Sequence, residues 1–191
     1  MPFPRRLVEA GEVSADALIS VGPSPSGGYA GEVPAIPPGL YGAILRLSFD
    51  DIGCAQWADD TGQRWRGPSI EDTRSALDFA DAVFTADPDA ALAIHCEMGR
   101  SRSAALALGV NARLLGPGRE ADAVWSLLVD DRDGQMCFNP LIVRHLDALL
   151  GRDRAIEDAL ATLCRPFVTW REFWVRKGVL PVSGLPVAGG A

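Results

Sequence analysis

The chain has 191 residues, of which 48% are hydrophobic and 23% are charged, as is usual for a globular protein. This length fits one domain, and we expect a single domain at 1–191, with its core at about 15–165 and a loose tail at 180–191. The net charge of -7 and the lack of a basic cluster make nucleic acid and anionic membranes poor partner candidates. No apolar run reaches the length of a membrane span.

The four cysteines, at positions 54, 96, 137 and 164, form no Cys-x-x-Cys pair. A disulfide framework and a zinc site are therefore not expected, and a reducing cytoplasm is the expected location. The N-terminal residues lack the uninterrupted apolar core of a secretory signal, which agrees with that location.

In chain order, the first predicted elements are strands at 15–21 and 41–49, separated by a loop rich in Pro, Gly and Ser at 22–39. Residues 50–68 are predicted to form a long polar loop, and loops of that length are often functional. Ser69 then begins a helix, because Ser69 and Asp72 have the spacing of a capping box and an apolar stripe follows.

The apolar run at 90–95 predicts a strand buried on both faces, as in a parallel sheet. A helix is predicted from about Ser101 to the stop signal at 116–118, and further helices at about 119–129, 140–150 and 153–164. Strands that alternate with helices predict an α/β domain, with a central, mostly parallel sheet flanked by helices. In such folds ligands bind where a strand ends and the next helix begins.

The segment between the predicted strand and the next helix reads His95-Cys96-Glu97-Met98-Gly99-Arg100-Ser101-Arg102-Ser103. Gly99 can adopt a positive φ, so this short loop can curl and point its backbone N–H groups into one anion site. Arg102 adds a planar fork suited to two phosphate oxygens. The same positive field favours the thiolate of Cys96, which is the nucleophilic form of the side chain.

This segment matches the pattern H-C-x-x-G-x-x-R-S, and the chain therefore resembles the protein tyrosine phosphatases, in particular compact bacterial members of the dual-specificity-like branch. Two later segments are also similar to that branch: Asn139-Pro140-Leu141-Ile142-Val143-Arg144 and the stretch that begins at Asp147. The resemblance covers about residues 15–155, and strand and helix signals stand on the expected sides of the motif.

The resemblance implies hydrolysis of a phosphate monoester in two steps, with Cys96 as nucleophile and a phosphocysteine intermediate. It implies that the Arg102 guanidinium and a set of loop amides hold the phosphate: those of Glu97, Met98, Gly99, Arg100, Ser101 and Arg102. The Ser103 hydroxyl would assist departure of the Cys96 sulfur, and His95 would orient the loop from below. No metal or other cofactor is implied, and phosphate or sulfate is expected to bind in the loop.

The substrate remains open at this point. A phosphorylated protein, with phosphotyrosine as its main target, is the first hypothesis. A lipid or small-molecule phosphate is the second, although Glu97 stands where a lipid-directed branch often has a basic residue and would repel a highly phosphorylated headgroup. The third hypothesis is a phosphate-binding module with little turnover.

The general acid is also open. Asp51 is the favoured candidate because it follows the predicted strand at 41–49 and because Asp51-Ile52 resembles the acid position of compact bacterial members. The alternatives are Asp50, Asp59 and Asp60, and any of the four could instead cap a turn. Cys54, close by in sequence, is either an incidental thiol or a redox partner of Cys96.

The C-terminal region carries Trp170 and Trp174 four residues apart. This spacing predicts that the two rings lie on one packed face of a helix rather than in a ligand site.

Overall fold

The computed structural model describes residues 15–25, 36–178 and 180. Most of the loop predicted at 22–39 and nearly all of the tail predicted at 180–191 lie outside the described residues. Within them, three parallel strands form the main sheet in the order β2-β1-β5: β1 Ala17–Gly22, β2 Ala43–Ser48 and β5 Leu92–His95. The prediction of an α/β fold with a parallel sheet flanked by helices is confirmed.

The register of the sheet brings the carboxyl ends of the strands to one edge. Ala17 of β1 is level with Ala43 of β2 and with Leu92 of β5, so the strands start together and run in the same direction. All six residues of β1 are buried, which is why this central strand is an unbroken run of mostly small and aliphatic residues. The segments that follow the strands therefore meet at this edge.

The region at 50–68 is not simply a loop, and in this respect the sequence prediction was wrong. It contains a small antiparallel hairpin of β3 Gln56–Ala58 and β4 Arg64–Arg66. Trp57 and Trp65 face each other in this hairpin, with ring centroids 4.8 Å apart. Strands of three residues are too short to show an alternating pattern, and the stacked aromatic pair supplies the stabilisation.

The predicted helices are confirmed to within a few residues: α1 Ile70–Ala86, α2 Arg102–Leu115, α3 Glu120–Leu128, α4 Pro140–Leu150 and α5 Ala155–Leu163. A further helix, α6 Arg165–Arg176, follows them. The capping box between Ser69 and Asp72 is present at the start of α1. Trp170 and Trp174 lie on α6 and pack together, as their spacing predicted. None of the helices in the described part of the chain is both long and apolar enough to cross a bilayer.

Helix α2 lies at the centre of the fold. It packs against β5, α1, α3 and α4, and every residue from Arg102 to Ala112 is buried. Because its first turn is surrounded in this way, the start of α2 is held in one place relative to the edge of the sheet. The polar residues of that turn are therefore positioned by the core itself.

Asp147, in the second segment that resembles the phosphatase family, has a structural role. It lies on α4 and is 6% exposed, and its two carboxylate oxygens accept the backbone N–H groups of Ile156 and Glu157 at 3.0 and 3.1 Å. Those are first-turn amides of α5, whose own N-cap residue, Arg154, does not cap the helix with its side chain. Burial raises the pKa of Asp147, against the lowering effect of the two amides.

We expect Asp147→Ala to lower the free energy of unfolding by about 2–4 kcal/mol, because two buried amides lose their acceptor. Asp147→Asn should lose less, since one side-chain oxygen remains to accept. Chemical denaturation of the two variants checks this. If Asp147→Ala is as stable as the wild type, the prediction is wrong and water replaces the carboxylate without cost.

Candidate functional site

Cys96 directly follows β5 and begins the loop that leads to α2, and we call residues 96–102 the cysteine loop. The Cys96 side chain is 9% exposed, whereas the next four residues are all exposed. Its Sγ atom lies 3.2 Å from the Oγ atom of Ser103, in the first turn of α2. Gly99 has a φ of +71°, so the positive φ expected at this position is confirmed.

The cysteine loop is held from one side by residues 135–139, which we call the brace. The N–H groups of Cys137 and Phe138 donate to the carbonyl oxygen of Arg100 at 2.9 and 3.3 Å, and the Asn139 N–H donates to that of Ser101 at 3.2 Å. The side chain of Arg100 also donates to Gln135, at 2.6 Å. Three consecutive backbone donors therefore fix two consecutive peptide groups of the loop.

This brace sets the direction in which the loop amides point. The peptide bonds are trans, so each C=O and the N–H that follows it point in opposite directions. Because the carbonyls of Arg100 and Ser101 point at the brace, the N–H groups of Ser101 and Arg102 point away from it. The first helical bond of α2 runs from Ala105 to Ser101, so the amides of its first turn have no helical acceptor.

Arg102 is fixed where the strands end. Its side chain is 7% exposed, and Nη1 donates to the carbonyl oxygens of Phe49 and Gly22 at 2.9 and 3.3 Å. Nη2 lies 3.7 Å from the Glu97 carboxylate, which is itself 60% exposed. The buried Nε atom has no hydrogen-bond partner among the described residues. Nη1 of the guanidinium is thus anchored to the ends of the strands, whereas Nε can still donate a hydrogen bond.

Asp51 is joined directly to the cysteine loop. It is half-buried, and its Oδ1 atom accepts the Ser101 hydroxyl at 2.7 Å and the Asn139 side-chain amide at 2.8 Å. The Asn139 amide also donates to the carbonyl oxygen of Ile52 at 3.1 Å. At the same time the side-chain oxygen of Asn139, Oδ1, caps α4 by accepting the N–H groups of Leu141 and Ile142. In the sequence, Asn139 stands out only as part of a resemblance, and nothing there indicates its position between Asp51 and the loop.

The other candidate carboxylates have different surroundings. Asp50 is buried and accepts N–H groups of Ser24 and Arg66, each at 3.0 Å, which ties β1 to the hairpin. Asp59 accepts from Thr61 and Gln63 in the turn of the hairpin, and the Thr61 hydroxyl lowers its pKa most. Asp60 is exposed in the same turn. Asp59 therefore caps a turn, as one interpretation of the sequence expected. Among the hydrogen bonds of the described residues, Asp51 is the one candidate acid bonded to the cysteine loop.

All four cysteines are free thiols. Cys54 donates to the Gln56 carbonyl and packs with Trp57 and Trp174, and burial raises its pKa. This environment favours the incidental role over the redox role. Cys137 is the thiol that touches the cysteine loop, since it belongs to the brace and interacts with Ser101. Burial lowers the pKa of His95, and a hydrogen bond with the Cys96 backbone opposes that effect.

Comparison with solved structures supports the fold. The chain is similar to a human tyrosine phosphatase-like serine/threonine/tyrosine-interacting protein, with a TM-score of 0.50, 16% identity, and coverage of 71% of this chain and 76% of that one. It is also similar to a mouse putative dual-specificity phosphatase solved with zinc tungstate, with a TM-score of 0.46, 16% identity and 76% coverage of both chains. No family model and no curated protein matches the chain. At this identity the first likeness shows a tyrosine phosphatase-like fold and nothing about activity.

The thiol of Cys137 gives a pH-dependent prediction. Burial, with the charge of Asp51 adding to it, raises its pKa to about 11. We therefore expect slow alkylation by iodoacetamide at neutral pH, and a rate that rises about tenfold per pH unit below the pKa, since only the thiolate reacts. Mass spectrometry of the peptide that carries Cys137 measures the rate. In denaturant the pKa should return to about 8.5 and labelling should accelerate. If the labelling rate of the folded protein stops rising near pH ~8.5, the prediction is wrong.

Proposed function

We propose that the protein is a phosphoric monoester hydrolase of the cysteine-dependent, dual-specificity-like type, with Cys96 as nucleophile. The observation that carries the proposal is the set of contacts around one short loop. The Cys96 sulfur lies 3.2 Å from the Ser103 hydroxyl, Arg102 is anchored at the ends of the strands with a buried donor unpaired, and Asp51 is hydrogen-bonded to Ser101. A nucleophile, an anion clamp and a carboxylate thus belong to the same structural unit.

The phosphate would bind in the cysteine loop. The brace turns the N–H groups of Ser101 and Arg102 away from itself, and the first-turn amides of α2 have no helical acceptor. The helix start adds a partial positive charge. The Nε and Nη2 atoms of Arg102 can donate to two phosphate oxygens, while Nη1 stays on the sheet. The remaining amides of the set, from Glu97 to Arg100, would complete the anion site.

In the first step, the Cys96 thiolate attacks phosphorus, an S–P bond forms and the P–O bond to the leaving group breaks. Asp51 donates its proton to the departing oxygen. Since both hydrogen bonds to Asp51 reach Oδ1, the proton is assigned to Oδ2. The loop amides and Arg102 stabilise the equatorial oxygens as charge redistributes in the transition state.

In the second step, a water molecule attacks the phosphocysteine and gives a proton to the Asp51 carboxylate. An O–P bond forms, the S–P bond breaks, and inorganic phosphate and the Cys96 thiolate are released. The Ser103 hydroxyl, 3.2 Å from the sulfur, donates a hydrogen bond to the thiolate as it leaves. Arg102 and the amides supply the positive charge that both steps require, which is the role a metal ion has in other phosphatases.

Phosphotyrosine in a protein is the proposed main substrate, in a cytoplasmic setting. The exposed carboxylate of Glu97 lies beside Arg102 and would repel a headgroup with several phosphates.

Cys96→Ser should abolish turnover of an aryl phosphate, because the alkoxide is not available at neutral pH. Arg102→Lys should lower kcat/KM by about 10²-fold or more, since the bidentate fork is lost. Steady-state release of inorganic phosphate measures both effects, with circular dichroism to confirm that the variants fold.

Equal rates in the wild type and in Cys96→Ser would refute the catalytic proposal. If neither turns over substrate but both bind a phosphotyrosine peptide, the chain is a phosphate-binding module. If the wild type prefers a singly phosphorylated lipid to the peptide, the substrate class is wrong but the chemistry stands.

The assignment of the acid is tested by changing Asp51 to Asn. An asparagine at this position can still accept from Ser101 and Asn139, so the contact with the loop is retained while the proton is lost. We expect a loss of about 10²-fold in kcat and loss of the basic limb of the pH–rate profile. Asp59→Asn and Asp60→Asn are the matched controls in the hairpin turn. If either control, rather than the Asp51 variant, removes the basic limb, the assignment is wrong.

A further inference from the structure

The backbone that follows Asp51 packs directly on α6. A Cβ atom added to Gly53 would lie 2.4 Å from Cγ, 2.7 Å from Cδ1 and 2.8 Å from Cβ of Trp174. Side-chain atoms do not approach each other so closely, so no other residue type fits here without movement. Gly53 is not among the glycines with positive φ, and its requirement comes from this contact alone.

Trp174 is itself held firmly. It is 3% exposed and belongs to a cluster of four tryptophans, which are Trp57, Trp65, Trp170 and Trp174. Its ring makes edge contacts with those of Trp57 and Trp170, at centroid distances of 6.0 and 5.3 Å. Rings packed on several sides in this way cannot shift readily to relieve a clash. The tryptophan cluster is therefore a rigid support under Gly53.

The opposite side of the same segment is also fixed. The Asn139 side chain holds both Asp51 and the carbonyl oxygen of Ile52, at 2.8 and 3.1 Å. A Cβ atom at Gly67, just after β4, would lie 1.9 Å from the Cys54 carbonyl oxygen. Residues 51–54 therefore lie between the hairpin, Asn139 and Trp174, and their position follows from close contacts on each side.

We propose that Trp174 is a positioning residue for the general acid. Its ring contacts Gly53 and thereby fixes the position of residues 51–54, which we call the Asp51 loop. The inference rests on the proposed function, in which Asp51 protonates the leaving group. A carboxyl group must be within hydrogen-bonding distance of that oxygen to act. A displacement of about 1 Å in such a group can cost about 10²-fold in rate. The contact at Gly53 is thus a means by which α6 affects catalysis without touching the substrate.

The test is Gly53→Ala, assayed with two aryl phosphates that differ in leaving group. The added methyl group can be accommodated only if the Asp51 loop moves away from the ring. For an ester of a poorly acidic phenol, such as phosphotyrosine, we expect kcat to fall about tenfold or more. For an ester of a strongly acidic phenol, which leaves without a proton, kcat should stay within about twofold of the wild type. The basic limb of the pH–rate profile should weaken only for the first ester.

Two substitutions of Trp174 test the contact from the other side. Trp174→Phe keeps the three atoms that face Gly53 and should retain the activity toward both esters. Trp174→Leu also has carbon atoms at these positions, but it loses the planar ring that packs on Trp57 and Trp170, so the support at Gly53 is no longer rigid. It should show the selective loss, which Trp174→Phe should not. Trp125→Leu is the matched control, because Trp125 lies on α3 and is 57% exposed. It should leave both rates unchanged.

The outcomes separate this inference from the proposed function. A selective loss in Gly53→Ala or Trp174→Leu supports it. Equal losses for both esters, or no loss for either, overturn it while leaving Cys96-dependent turnover intact. If Gly53→Ala does not fold, the two Trp174 variants decide. A wild type whose turnover does not depend on Cys96 refutes the proposed function itself, and the inference falls with it.

Discussion

The hydrogen bonds from residues 137–139 to the carbonyl oxygens of Arg100 and Ser101 are the contacts on which the rest of the site depends. A loop of six residues between a strand and a helix has many possible conformations. Two carbonyls held on one side leave the adjacent amides on the other, because the peptide group is planar. The proposed anion site of backbone N–H groups therefore depends on a segment more than thirty residues away, and the brace belongs to that site as much as the loop does.

Asn139 connects this loop to the proposed acid. Its backbone N–H binds Ser101, its side-chain amide binds Asp51, and its side-chain oxygen caps α4. One fully buried side chain thus links the brace, the Asp51 loop and a core helix. A buried amide that satisfies donors and acceptors in three directions has little freedom to move, which suits a group between the cysteine loop and the proposed acid.

The four cysteine thiols have different surroundings in the fold. Burial raises the pKa of Cys54, Cys137 and Cys164, and each of these thiols is placed to donate to a backbone carbonyl. Cys96 instead lies against the Ser103 hydroxyl at the start of a helix. The three thiols with a raised pKa are poor nucleophiles at neutral pH.

The sequence alone determined the sheet, the helices and the loop that begins at Cys96, because these depend on local signals: a short apolar run, helical periodicity, a capping box at Ser69 and one dense motif. It could not decide among Asp50, Asp51 and the two hairpin carboxylates, since all four are close in sequence and only folding shows which one meets Ser101. It also missed the hairpin, the role of Asn139 and the contact of Gly53 with Trp174. The hairpin was missed because strands of three residues show no alternating pattern. The other two are contacts between segments distant along the chain, and such contacts have no local pattern from which to be predicted.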